Sequence, residues 1–397
     1  MIRAMPASPE TPAAAPAAPR PAALLGVRWL RMVLVLLALW LGLALYPETR
    51  EAFLTAGNFS NLTAQVAEIA IIGVGMTLVI AIRGIDLSVG SLMALTGVVA
   101  AKLQIDHHQS AAVAIAAALI VGALAGVWHG VLVSRFHVPP FIATLGGFLA
   151  YRGMALVLSD ARGLSPMGDD FGRLGARLSP GLSMGYCAFG LVAGAALVLW
   201  TEHRRRAVGL AATPVAVMGL RLAGIGLASA FFISVYKDGM PVPVLIATVV
   251  AASGAVLLRR ARLGRYALAV GGNAEAARLS GVPVARTTVL IYLLTGSLAA
   301  LAGMVAAART NGVTPGNMGL LKELDVITAV VIGGTSLSGG RATILGTLIG
   351  ALIFGTLSNG MNLMTINSNW QLILTGAILL GASLLDSASS QRAGKAA

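Results

Sequence analysis

The stretch RRARLGRYALAVGGNAEAARLSGVPVAR, Arg259 to Arg286, is a polar island in a chain that otherwise reads as membrane. It carries six Arg and one Glu, a local charge of +5. Within it, one short helix has both ends marked. Asn273 supplies an N-cap oxygen and Glu275 sits in the first turn, where the helix dipole favours an anion. Gly281 ends the helix and Pro283 blocks its continuation. A channel that opens by itself has little use for a capped, basic helix outside the bilayer. A transporter moved by a separate motor needs one as a mechanical handle.

Outward from the island the chain turns apolar. Of its 397 residues, 57% are hydrophobic and 11% charged. Apolar runs of about 20 residues recur, the length that crosses a bilayer core. They fall near 29–46, 61–82, 88–104, 110–133, 139–159, 184–201, 212–236, 241–258, 287–308, 324–338, 342–361 and 368–386. The third and tenth are short or broken, so the expected fold is an all-α, polytopic transmembrane helical bundle of about 10–12 spans. Residues 1–26 are rich in Ala and Pro and read as a disordered terminus without the apolar core and cleavage site of a signal peptide. Residues 27–386 form the transmembrane domain, with 259–286 as its polar loop, and 387–397 read as a tail.

Charge sets the orientation. With the amino terminus inside, 19 of the 28 Lys and Arg fall on inner segments and 8 on outer ones. The positive-inside rule then places both termini and the island in the cytoplasm. The formal charge of +13 is therefore a record of topology and not of nucleic-acid binding. Cys187 is the lone cysteine, which excludes an internal disulfide and a cysteine metal cluster. The five His have no metal-ligand spacing, and no phosphate-binding G-x-x-x-x-G-K-[ST] loop occurs, so no metal and no ATP site is expected on this chain. Gly122, Gly126 and Gly130, and likewise Gly346 and Gly350, stand at four-residue spacing, a pattern for close helix packing within the chain or, alternatively, for a dimer seam.

Two Gly/Ser-rich breaks interrupt the spans: IRGIDLSVGS, Ile82 to Ser91, and VIGGTSLSGG, Val331 to Gly340. Irregular backbone at membrane depth must be buried in protein or line a wet cavity, and paired broken segments point to a transport path or its gate. Gly84, Asp86, Ser88 and Gly90 in the first break, and Gly333, Thr335 and Ser336 in the second, are the candidates, together with Asp325. Tight turns between spans are the competing reading. Asp86 and Asp325 read as helix-start carboxylates, with proton transfer the alternative for Asp86. Glu68 and Arg152 are costly at membrane depth unless paired or wet, and they can pair with each other. Asn317, Asn359, Asn362, Asn367 and Asn369 mark outer ends where a soluble partner could dock, and Trp370 reads as an interfacial anchor. No catalytic constellation emerges.

On three stretches the chain resembles the membrane permease of bacterial ATP-binding-cassette importers for monosaccharides, the ribose/xylose class. They are GIDLSVGS (Gly84–Ser91), GRYALAVGGNAEAARLSGV (Gly264–Val282) and ELDVITAVVIGGTSLSGGRATILGTLIGA (Glu323–Ala351). The likeness runs from about Gly57 to Asp386. It implies that Gly272, Asn273, Glu275, Ala276, Ala277, Arg278, Leu279, Ser280 and Gly281 lie in the cytoplasmic coupling segment that docks on an ATP-binding subunit. It also implies a second copy of the permease, a periplasmic sugar-binding protein, ATP and Mg on the partner ATPase, and a place in the bacterial inner membrane. The two further spans 184–201 and 212–236, with Arg204–Arg206 between them, look like the D-xylose permeases, as does Gly126–Ser159. Arg83 departs from the glycine usual before Gly-Ile-Asp, and Leu268 from a common aromatic. Rival readings are a permease for another sugar, a nucleoside, branched amino acids or an autoinducer, and an ion-coupled secondary transporter, which would need Glu68, Asp86 and Asp325 as a relay.

Overall fold

The computed structural model describes residues 28–209 and 211–395, and within them the chain is helical with only two isolated β-bridges. The helices are α1 (Arg28–Leu45), α2 (Arg50–Phe53), α3 (Ala56–Ala81), α4 (Val89–Ile105), α5 (Ala111–Ser134), α6 (Pro140–Leu158), α7 (Asp169–Gly172), α8 (Pro180–Ala207), α9 (Val215–Val235), α10 (Val242–Arg260), α11 (Arg262–Gly272), α12 (Ala274–Leu279), α13 (Val284–Arg309), α14 (Lys322–Ile332), α15 (Ile344–Leu363) and α16 (Ser368–Lys395). Among the described residues, eight helices are long and apolar enough to cross a membrane, and three shorter apolar ones accompany them. The all-α, multi-pass bundle expected from the apolar runs is what forms. Residues 1–26 lie outside the described residues. The segment 387–395 continues α16 as helix, since no Pro or Gly interrupts the chain between Asp386 and Arg392.

The centre consists of α3, α4 and α13, whose side chains are buried over most of their length. Around them pack α5 and α6, α10, and the pair α14 and α15. The α8–α9 hairpin stands at the periphery, closed at its turn by Glu202, which accepts bonds from the Thr213 backbone and hydroxyl and from Arg206. Its outer surface carries Phe189, Val192, Leu220 and Leu227, as a lipid-facing element should.

Small residues set the helix spacing. A Cβ added at Gly122 would stand 2.5 Å from the Gly296 carbonyl oxygen, and one at Gly130 would stand 2.6 Å from Val289 Cα. At Gly126 it would fall onto the Tyr292 carbonyl. The stripe therefore seats α5 on α13. Gly346 and Gly350 likewise seat α15 against Gly333 and Ala329 of α14 and its end. Both stripes pack within the chain, which resolves the choice against a dimer seam at these positions.

The tenth apolar segment departs from a full span. Its helix, α14, holds 11 residues, about 16 Å or half a bilayer core. Gly333 and Gly334 stop it at one end. At the other, the irregular loop 310–321 runs back along α4. Val313 bridges Leu164 and packs beside Gly97, and Gly319 lies against Gly90 in the first turn. Asn311, Gly319 and Leu321 take the left-handed backbone needed for this course. Gly312, Val313, Pro315 and Gly319 are buried against the bundle, while Thr310, Asn311, Thr314, Gly316, Asn317 and Leu320 are exposed, so only one side of the loop is covered by protein.

Candidate functional site

The polar island forms two helices where its local signals mark one. The first, α11, is the strongly amphipathic run Arg262–Gly272, whose Ala267 and Val270 are buried while its Arg side chains face out. The second, α12, has the predicted ends. Asn273 Oδ1 accepts the Ala276 backbone N–H at 3.0 Å, and Gly281 takes φ +82° just past the last turn. The Val282 N–H returns to the Ala277 carbonyl, completing the cap. Only Ala277 of this helix is buried, and Leu279 is 75% exposed, so α12 is a knob that projects from the bundle. Glu275 and Arg278 pair across it at 2.6 Å. That guanidinium holds the Glu275 carboxyl below the usual carboxylate range.

The knob is rooted in both glycine breaks. The carbonyls of Gly271 and Gly272 are terminal acceptors of α11, without partners in their own helix. Arg83, the second residue after α3, donates from Nε to Gly271 O and from Nη2 to Gly272 O, each at 2.7 Å. Arg83 sits at φ +64° to do so. A non-glycine residue there costs about 1–2 kcal/mol, whereas a hydrogen bond from a charged group contributes about 1.5–3 kcal/mol, so the two bonds outweigh the strain. In return, the end of α3 is capped by the second break, where Gly340 N–H donates to Ala81 O at 3.0 Å. Gly271 must lack a side chain, because a Cβ would fall onto the Ala81 carbonyl. The end of α11, the end of α3 and the Gly339–Gly340 turn thus meet backbone to backbone.

Beyond this junction the first break leads into a buried polar cluster. Asp86 Oδ1 accepts the Ser88 N–H at 2.9 Å and the Ser88 hydroxyl at 2.7 Å, so it holds the residue that begins α4 without capping the first-turn N–H groups of the helix. Ser88 Oγ lies 3.4 Å from His129 Nδ1, and His129 Nε2 lies 3.3 Å from the Tyr151 hydroxyl. Gly84 makes room for the Tyr292 hydroxyl, and Gly90 for the Glu323 carboxylate and the Gly319 carbonyl. Asp325 stands in the first turn of α14 as expected, paired with Lys322 at 3.6 Å. In the second break Gly333 packs on Gly346, Ser336 N–H bonds to the Arg341 carbonyl, and the buried Thr335 hydroxyl has no hydrogen-bond partner among the described residues. Single-residue reading passes over His129, Tyr151, Tyr292 and Glu323, because each owes its place to a neighbour remote in the chain.

The expected pairing of Glu68 with Arg152 does not occur. Glu68 Oε1 instead receives Arg309 Nε and Nη2, both at 2.9 Å. Arg309 is the last residue of α13, and its long stem carries the guanidinium to the buried carboxylate. Arg152 Nη1 donates to the Pro315 and Met318 carbonyls at 2.6 and 2.8 Å, holding the loop before α14, while its buried Nη2 has no hydrogen-bond partner among the described residues. Asn359 is not free for a soluble partner either: it is buried and exchanges two amide hydrogen bonds with Asn58. A lateral cavity of about 600 Å³ opens between α3, α8, α9, α10 and α15. Its walls are apolar, and the hydroxyls of Tyr186 and Tyr236 are already bonded to Thr248 and Thr63, so it suits a lipid chain better than a polar solute.

Comparison with known proteins agrees with this arrangement. Residues 58–383 match the family described as branched-chain amino acid transport system / permease component. The chain is 39% identical over 349 residues to the xylose transport system permease protein of Escherichia coli strain K12, covering 87% of this chain and 88% of that one. The Haemophilus influenzae protein of the same description is 35% identical, over 91% and 98% of the two chains. The ribose import permease protein of Escherichia coli strain K12 is 38% identical, over 90% and 94%. No solved structure matches. A helical bundle with two glycine breaks, an exposed capped helix rooted in both, and these relatives place the chain in that family: it is a membrane permease of the group that includes the bacterial xylose and ribose transport permeases.

Proposed function

We propose that this chain is the permease subunit of an ATP-driven importer of D-xylose in the bacterial inner membrane. A periplasmic binding protein delivers the sugar, and two copies of the permease form the path. ATP and Mg bind a separate cytoplasmic subunit, on which α12 docks. The observation that carries the reading is the root of α12: an exposed helix, one residue removed from Gly272, backs onto both glycine breaks through Arg83, Ala81 and Gly340. Motion imposed on α12 has a short route to the polar cluster around Asp86. Affinity for the sugar resides mainly in the binding protein, so the permease needs only a weak polar path.

Overall identity does not separate xylose from ribose, at 39% and 38%. The preference for xylose rests on the α8–α9 hairpin, the pair of additional spans. The test is reconstitution with an ATP-binding subunit and sugar-loaded binding proteins. Xylose-loaded protein should stimulate ATP turnover and ribose-loaded protein should not; the reverse pattern assigns ribose, and uptake that ignores ATP but collapses with an uncoupler refutes the reading.

A further inference from the structure

The contacts around Arg83 differ in kind, and the difference assigns it a role. Gly271 touches the end of α3 by close backbone approach, with no room even for a Cβ. Such a contact transmits a push and gives way to a pull. The guanidinium of Arg83 is different: two hydrogen bonds at 2.7 Å to successive carbonyls resist separation as well as compression. Asn273, the cap of α12, follows Gly272 directly, so the clamp holds the very base of the projecting helix. On its other side Arg83 continues into Gly84, Ile85 and Asp86, the chain that starts α4. The Gly339 turn packs on the stem of the same side chain and on the Gly271 carbonyl, so the second break is gripped too.

We propose that Arg83 is the positioning residue through which displacement of α12 is drawn into both glycine breaks, so that it sets how much solute moves per ATP hydrolysed. The inference rests on the reading of α12 as the ATPase contact. It explains why a residue with a side chain occupies a left-handed backbone position, where glycine would be easier. It also separates coupling from folding. Arg83→Gly removes the guanidinium while relieving the backbone, and the side chain is exposed, so the bundle loses no core packing.

The test uses the full chain in proteoliposomes with an ATP-binding subunit and xylose-loaded binding protein. Arg83→Gly and Arg83→Ala should insert, retain the ATP-binding subunit and keep ATP turnover within about twofold of wild type, while D-xylose uptake per ATP falls by at least about tenfold, since both charge-assisted bonds are lost. Arg83→Lys, whose single ammonium reaches one carbonyl at a time, should recover part of the loss. A second readout needs no sugar. Amide hydrogen exchange across 82–91 should change on trapping the complex with ATP and vanadate in wild type, and not in Arg83→Gly. Wild-type uptake per ATP in Arg83→Gly overturns the proposal, as does loss of insertion or of subunit attachment in step with uptake. If wild type moves no D-xylose, the substrate reading fails, and the exchange response still decides the role of Arg83.

Discussion

Glu68 and Arg309 show what a charge in a membrane bundle requires. The carboxylate is buried, and it is tolerable only because a guanidinium reaches it with two donors. Removing the half-exposed Arg309 leaves the buried carboxylate stranded. Arg309→Ala should therefore destabilise the purified protein by about 3 kcal/mol in thermal or denaturant unfolding. The swapped double variant Glu68→Arg with Arg309→Glu should recover part of that, and no recovery would refute the pair. Glu275 behaves differently, because its pair with Arg278 is exposed. Its carboxyl is held low by Arg278, so whatever the pair contributes is complete above the ordinary Glu value of about 4.3 and is lost as pH falls through the lowered one. Coupled transport should show no step between about pH 6 and 8 from this pair, and Glu275→Gln should leave the pH profile there unchanged; a wild-type step in that window that Glu275→Gln abolishes would show that Glu275 titrates higher.

At the scale of elements, the helix ends were legible in the sequence where the signal was local. Asn273, Gly281 and Pro283 bound α12 because caps act over three or four residues. The breaks at Ile82 and Val331 were legible for the same reason. What was not legible depended on distance along the chain. Glu68 finds Arg309 across 241 residues, and nothing near either one announces it. The re-entry of 310–321 was missed because its course is set by Gly90 and Gly97 on another helix, and α11 because its Arg content hides an amphipathic stripe. The glycine spacing in α5 was readable as close packing, and the structure supplies its partner, α13. Gly126→Leu would drive a side chain into the Tyr292 carbonyl and should cost at least about 2 kcal/mol. The measurement is the yield of monodisperse protein and its thermal midpoint, with Gly153→Leu, which meets open space on α6, as the control that should change little.

The whole molecule joins three parts: a glycine-seated bundle, two breaks that meet at one end of it, and a capped helix that projects from their junction. The polar cluster of Asp86, Ser88, His129 and Tyr151 lies one break away from that helix. Transport in this scheme is a rigid displacement of α12 passed to the breaks, with the chemistry of ATP kept on another chain. The most direct test is D-xylose uptake per ATP hydrolysed in proteoliposomes carrying the Glu275→Arg, Arg278→Glu double variant. The account predicts a protein that inserts and hydrolyses ATP with its partner but no longer moves sugar in proportion. Uptake per ATP equal to wild type would contradict it.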